Sequence, residues 1–558
     1  MTLQPSREPT APSLLLWSAR APADAARRCD QAALVLIAVA AAVALFTFRD
    51  YGLGWDDYAH AEYGDLLVAY FTSGFTDKRA LSFVNLYMYG GGFDLLAALA
   101  AKVLPFTLFE TRRLLGAAVG LIGLFVVWRT GRRVGGPLAG VLALALLACC
   151  PLYVGHQFIN AKDGPFAVAM AILLLGLVRG VDEYPRPAPA TVALTGVGFG
   201  LAIGSRVLGG FGVIAALGAL AYLFVMAIRC DGWRAAAGTL GRFALAMLPA
   251  LVLALAVVAL VWPWVVTDPL NLFRALDYFS RFFEQPWNEL YGGQRIPVTE
   301  MPRSYVPTLL VLKLPELFIA LGFGGAAGAL IAAFRRELRP NRRAVLLLVV
   351  LMALTPLVIT VLLRPAMYNG IRHFVFVLPP LAVLGGIAGA WLFERARSRV
   401  AAAALAAVVL AGLISPVIEM VRLHPYEYTH FNRIAGGVRA ARERYMLDYW
   451  GLSFKQAAQG LKAKLAELGL QKPPDRPWKL ATCGPHRSPE VELGGDFETT
   501  WNPKGADFAL MLGEFYCVKF DAPVLVEVAR AGAVYARIYD IRGRSYETLL
   551  TLPGLPSL

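Results

Sequence analysis

Residues 52–65 read GLGWDDYAHAEYGD. The fold is decided by what the adjacent acids Asp56 and Asp57 are doing there. They stand just past the first long apolar run, 31–48, in a chain that is 57% hydrophobic and 16% charged. Carboxylates at the mouth of a membrane bundle are costly to keep without a use. The pair therefore marks a site for acid–base chemistry or cation binding at the membrane surface.

Working outward, the apolar runs repeat. Spans are expected near 31–48, 114–129, 134–152, 164–180, 190–206, 208–228, 243–266, 307–333, 344–363, 373–393 and 400–421. A polytopic α-helical membrane bundle of about 11 transmembrane helices is the fold class that fits. The stretch 82–104 is left out, because Gly90-Gly91-Gly92 and Asp94 make it a poor lipid-facing helix; it is expected to lie along the surface or against the bundle. With 1–30 as a cytoplasmic segment, this threading puts the arginine-rich loops inside: Arg129/Arg132/Arg133, Arg229/Arg234/Arg242, Arg335/Arg336/Arg339/Arg342/Arg343 and Arg395/Arg397/Arg399. The first outer loop, 49–113, then shares its side with the loops at 153–163, 267–306 and 364–372. The net charge of +14 resides in those inner loops, with no basic–aromatic platform for nucleic acid.

The chain from 422 to 558 reads as a small soluble α/β domain on the outer side. A helix is expected at 453–469, ended by Gly469, followed by strand-like runs WKLAT, DFALML, VLVEVARAG and AVYARIYDI. The last two form a hairpin near Gly532. Of the six cysteines, Cys483 and Cys517 lie in this tail and are free to pair if it faces an oxidising compartment.

Three polar groupings need explaining. Asp57 is placed to cap the helix that follows it, which leaves Asp56 as the better general base. Between two spans, HQFINAKDGPF (156–166) carries His156, Asn160, Lys162 and Asp163. Capping by Asp163 and snorkelling by Lys162 account for part of this; the same residues also suit orienting an acceptor or holding a divalent metal ion. The third grouping is basic and runs against the inside bias: Lys78, Arg112, Arg113, Arg206 and Arg372. A lipid phosphate would satisfy Arg206, as would an ion pair with Asp56 or Asp163.

These groupings, in this order, resemble the GT-C superfamily of integral-membrane glycosyltransferases, and within it family 39: the protein O-mannosyltransferases and the lipid A aminoarabinose transferase. WDDYAHAEYGD is similar to the family's acidic motif after span one, HQFINAKDGPF to its second polar loop, and RHFVFVLPPLAVLGG (372–386) to its Arg/aromatic–Leu-Pro-Pro span. HPYEYTHFNRIAGG (424–437) and LDYWGLSF (447–454) look like a recurring feature of a bacterial subgroup with a soluble extension. The resemblance covers about 20–450. It implies Asp56 as the catalytic carboxylate, Asp57 as its acidic neighbour, Asp163 as the second-loop acid and Arg372 as a phosphate contact. Lys78 matches only loosely, since DKRALSF lacks the paired prolines that follow the corresponding lysine in relatives. The resemblance also implies a polyprenyl-phosphate sugar donor, an acceptor hydroxyl on a lipid, glycan or protein, and a bacterial inner (plasma) membrane with the C-terminal domain periplasmic. Competing readings are a transporter or flippase for a lipid-linked or small anionic substrate, and an inactive scaffold whose tail binds a partner.

Overall fold

Apolar helices with arginines between them account for most of the architecture. The structure, a computed structural model, describes residues 23–280 and 287–550. Most of the N-terminal segment, and the first residues of the EQPWNEL stretch, lie outside the described residues. The chain begins with α1 (Ala23–Thr47), α2 (Asp57–Thr72), α3 (Gly92–Ala100), α4 (Leu108–Ala148) and α5 (Pro151–Ile159). It continues through α6 (Asp163–Asp182), α7 (Pro189–Ile203), α8 (Gly210–Asp231), α9 (Trp233–Val261), α10 (Pro263–Thr267) and α11 (Asn271–Ser280). After a hairpin of β1 (Asn288–Tyr291) and β2 (Gln294–Pro297) come α12 (Tyr305–Lys313), α13 (Glu316–Ala333), α14 (Pro340–Leu363), α15 (Leu378–Arg395) and α16 (Arg399–Leu423).

Among the described residues, nine helices are long and apolar enough to cross a membrane, and α7 is a shorter apolar one. The longest, α4, is two helices: Gly136 has φ 86° and ψ 179°, and Pro137 opens the second arm. Only glycine adopts that φ cheaply. The arms fold back so closely that a methyl group on Gly140 would stand 2.9 Å from the Trp128 carbonyl oxygen. Counting both arms and α7 recovers the eleven expected spans. The stretch 82–104 yields only α3, nine residues packed against α2 and α4.

Two expectations are corrected. The span expected at 307–333 breaks at Leu314-Pro315 into α12 and α13, because proline forces its predecessor into an extended conformation. The carbonyls thus freed are taken by Asn432, whose Nδ2 donates to Val311 O (2.6 Å) and Leu314 O (2.8 Å). The residues expected to form a loop at 153–163 are mostly helical in α5, with only Asn160–Lys162 left as a turn.

The four arginine clusters lie at one end of the bundle. There Arg133 pairs with Asp182 (2.7 Å) and Arg343 donates to Ala333 O (2.8 Å). The acidic motif lies at the other end, where His424 after α16 meets Asp50 after α1 (2.9 Å).

Beyond α16, α17 (Gly437–Ala441) and α18 (Phe454–Glu467) precede a five-stranded sheet: β3 (Trp478–Cys483), β4 (Phe497–Thr500), β5 (Phe508–Leu512), β6 (Val524–Arg530) and β7 (Ala533–Asp540), in the order β4-β3-β5-β7-β6. The first three strands are parallel; β7 runs antiparallel to both neighbours. Helix α18 ends at the expected Gly469 (φ 63°), and the β6–β7 turn at Gly532. Residues 424–453 are built into the end of the bundle, and a single buried apolar core runs from the spans into the sheet.

Cys483 and Cys517 form a disulfide across 34 residues. Closing a loop of that length restricts the unfolded chain by about 3–4 kcal/mol. Non-reducing thiol labelling of the unfolded full chain should therefore tag Cys29, Cys149, Cys150 and Cys230 and spare this pair. Replacing both tail cysteines with serine should lower the unfolding temperature.

Candidate active site

The segment Tyr51–Asp56 turns across the end of the bundle. Tyr51 stacks on Phe158 with ring centroids 4.2 Å apart. Asp56 occupies the N-cap position of α2, but no side chain caps that helix. Asp57, expected to be the cap, is instead buried. Arg113 grips it through both guanidinium nitrogens (2.9 and 2.7 Å), and the Gly54 amide donates to it at 2.7 Å. One turn along, His60 and Arg112 share buried Asp94 (2.6 and 2.5 Å). Arg112 and Arg113 are thus partners of protein carboxylates, with Arg112 Nε and Nη1 and Arg113 Nε left unpaired.

The second grouping is held by Asn160. Its Oδ1 accepts from the amides of Lys162 (3.0 Å) and Asp163 (2.7 Å), while its Nδ2 donates to Asp163 Oδ2 (2.8 Å) and His156 Nδ1 (3.2 Å). Arg206 pairs with the other oxygen of Asp163 at 2.5 Å. With its Nδ1 accepting, the neutral His156 ring carries its proton on Nε2, 3.2 Å from Tyr449 Oη. Burial, reinforced by the nearby charges of Arg372 and Lys313, pushes its pKa down to about 3. Both ring nitrogens are occupied. No three His, Cys, Asp or Glu side chains gather as a metal-binding set among the described residues.

What stays open is Asp56. Its side chain is 39% exposed, against 2% for Asp163. It faces Lys162 Nζ at 3.3 Å and Arg372 Nη1 at 4.0 Å. Burial works to raise its pKa, but the charges of Lys162, Arg372 and His60 outweigh it and hold the carboxyl below its ordinary range. Arg372 is itself buried, its Nε has no hydrogen-bond partner, and the rings of Trp450 (4.6 Å) and Tyr368 (4.8 Å) flank it. The ring of Tyr89 lies against both Lys162 (5.0 Å) and Arg206 (5.5 Å). Lys78 is exposed and is not drawn into this cluster; neighbouring Asp77 pairs with Arg79 (2.7 Å).

Residues 92–264 match a family model described as dolichyl-phosphate-mannose-protein mannosyltransferase. The match spans Asp94, Arg112, His156, Asn160, Lys162, Asp163 and Arg206; Asp56 and Arg372 lie outside it. No curated protein matches the chain. Similar solved structures include ArnT from Cupriavidus metallidurans in the apo state (16% identity, 90% of this chain, 97% of that chain, TM-score 0.49) and bound to undecaprenyl phosphate (17%, 90%, 97%, 0.47). Another is the oligosaccharyltransferase AglB from Archaeoglobus fulgidus in complex with an inhibitory peptide and a dolichol-phosphate (14%, 86%, 69%, 0.46).

The sequence reading missed the residues brought in from afar: Tyr449 and Trp450 of LDYWGLSF, Tyr368 and Tyr89. It also missed two buried acids where the tail meets the bundle. Glu289 on β1 accepts from Tyr305 Oη (3.1 Å) and Asn369 N (3.0 Å). Glu514 after β5 accepts from Leu447 N (2.9 Å). Burial is the main cause that pushes Glu289 up to about 7 and Glu514 up to about 8, from an ordinary value of 4.5.

Two predictions follow from this division between closed and open charges. Asp57→Asn breaks a buried pair and should destabilise the fold by about 3–5 kcal/mol, while Asp56→Asn, at a part-exposed carboxylate whose partners stand farther off, should cost clearly less; melting both proteins in detergent compares them directly. For the buried glutamates, the folded chain binds more protons than the unfolded chain between pH 4.5 and 7–8, so their contribution to stability falls as pH rises through that window. Set against the wild type, Glu514→Gln should lose less melting temperature, or gain more, between pH 5 and pH 8. An equal slope in the variant would refute the assignment.

Proposed function

We propose that this protein transfers a sugar from a polyprenyl-phosphate donor to an acceptor hydroxyl, with Asp56 as general base and inversion at the anomeric carbon. The observation that carries this reading is one part-exposed carboxylate beside two cations at the end of a membrane bundle. A lipid-linked donor reaches such a site from the bilayer. Arg372 and Lys162 are placed to meet the phosphate that becomes the leaving group, where negative charge builds in the transition state. Asp56 takes the proton of the attacking hydroxyl as the new C–O bond forms and the bond to the phosphate oxygen breaks.

The two cations also link the steps. While the site is free of phosphate they hold Asp56 as a weakly basic carboxylate. An arriving phosphate draws on the same positive charge, so Asp56 becomes more basic as the donor binds. Asp163 with Arg206, and His156 with Asn160, keep the second wall of the site in position.

Supporting an outward-facing site, the arginine clusters all gather at the opposite end, as they do on the cytoplasmic side of membrane proteins. The disulfide lies in the tail, at the site end. A bacterial inner membrane with a periplasmic C-terminal domain fits both. The transporter reading is less well supported: among the described residues, every fully buried charged side chain lies at the site end or in the C-terminal domain, with none strung across the bundle.

The test is mass spectrometry of lipid-linked sugars and envelope glycans in cells carrying wild-type protein or Asp56→Asn. One glycan modification should disappear while one polyprenyl-phosphate sugar accumulates. With that donor in hand, the variant should transfer about 10²–10⁴-fold more slowly. A product that retains the donor's configuration would exclude the single displacement.

A further inference from the structure

We infer that the C-terminal domain completes the donor-phosphate site, with Trp450 as a positioning residue that holds the Arg372 guanidinium beside Asp56. This rests on the donor reading above and deepens it.

The motif LDYWGLSF has no role in the chemistry so far described, yet it is built tightly against the site. Asp448 fixes its turn. One carboxylate oxygen accepts from the amides of Gly451 and Leu452 (both 3.0 Å) and the hydroxyl of Tyr428; the other accepts from Ser453 N (3.0 Å). Gly451 takes a left-handed φ of 80° within that turn. The two residues so presented both reach the bundle. Tyr449 meets His156 at 3.2 Å, and the Trp450 ring lies 4.6 Å from Arg372. Trp450 also packs on the segment leading to Asp56, where any side chain on Gly54 would overlap the indole. Ser488 Oγ, from the same domain, donates to Leu53 O at 2.6 Å.

The chemistry of the ligand follows from what is left unpaired. Arg372 Nε and Trp450 Nε1 are both buried donors without a hydrogen-bond partner, on side chains in mutual contact. Buried donors are rarely left so. The carboxylate nearest Arg372 stands 4.0 Å away and is shared with Lys162. An unpaired cationic donor beside a carboxylate that it does not grip calls for an anionic oxygen. Aromatic faces against a guanidinium fix its plane without consuming its N–H groups, so the arginine keeps them for phosphate.

The experiment measures binding of undecaprenyl phosphate, with undecaprenol as the phosphate-free control, to the full chain in nanodiscs. Trp450→Ala should weaken undecaprenyl phosphate binding at least tenfold and leave undecaprenol unchanged. Trp450→Phe, which keeps a ring face, should recover most of the loss. The double variant with Arg372→Ala should bind no more weakly than Arg372→Ala alone, since both changes remove one function. If Trp450→Ala does not fold, Trp450→Leu fills the space without a ring and takes its place. Wild-type affinity in the alanine or leucine variant, or losses that multiply in the double variant, would overturn the role of Trp450 while leaving the donor reading standing. A wild-type chain that does not bind undecaprenyl phosphate would overturn the donor reading, and this inference with it.

Discussion

A charge removed from water must meet its opposite, and this constraint orders the whole site end of the molecule. Arg113 and Asp57 are both buried and joined by two hydrogen bonds. Arg113 also donates to the carbonyls of Gly52 (2.5 Å) and Phe158 (3.2 Å). One guanidinium therefore ties together the turn before α2, the first arm of α4 and the end of α5. Such a pair adds little net stability over apolar packing, but losing either partner strands a buried charge. It therefore fixes geometry: the backbone carrying Asp56 has one place to be.

Around that anchor, charges divide into closed and open sets. Asp94 with His60 and Arg112, and Asp163 with Arg206, are closed. Asp56, Lys162 and Arg372 are open, with longer separations and one exposed acid. Two neighbouring aspartates are thereby held in different surroundings. Asp57 has its oxygens taken by Arg113 and the Gly54 amide. Asp56 is part-exposed, and its partners stand farther off.

Much of this was legible in the sequence. Apolar runs and arginine placement gave the spans, because lipid imposes length and charge asymmetry on local composition. Gly469 and Gly532 marked where helix and hairpin turn. The grouping of His156, Asn160, Lys162 and Asp163 was visible because it is local. The partner of Asp57 was not, since α4 is reached only through the fold; the break at Leu314-Pro315 carried its proline in plain sight, but the Asn432 that takes the freed carbonyls comes from beyond α16. Tyr449 and Trp450 could be marked as a motif, but nothing local shows that they meet His156 and Arg372. Long-range contacts of this kind leave no periodic trace in the chain.

The hydrogen bond from Ser488 to Leu53 joins residues 435 apart. At a synthesis rate of about 5–20 residues per second, that separation takes roughly 20–90 s to bridge. The turn bearing Asp56 is therefore made early and must wait, in the membrane, for the residues that close over it. A truncated or stalled chain has the acid but not the wall around it. Order of synthesis thus sets the order in which this end of the molecule is built.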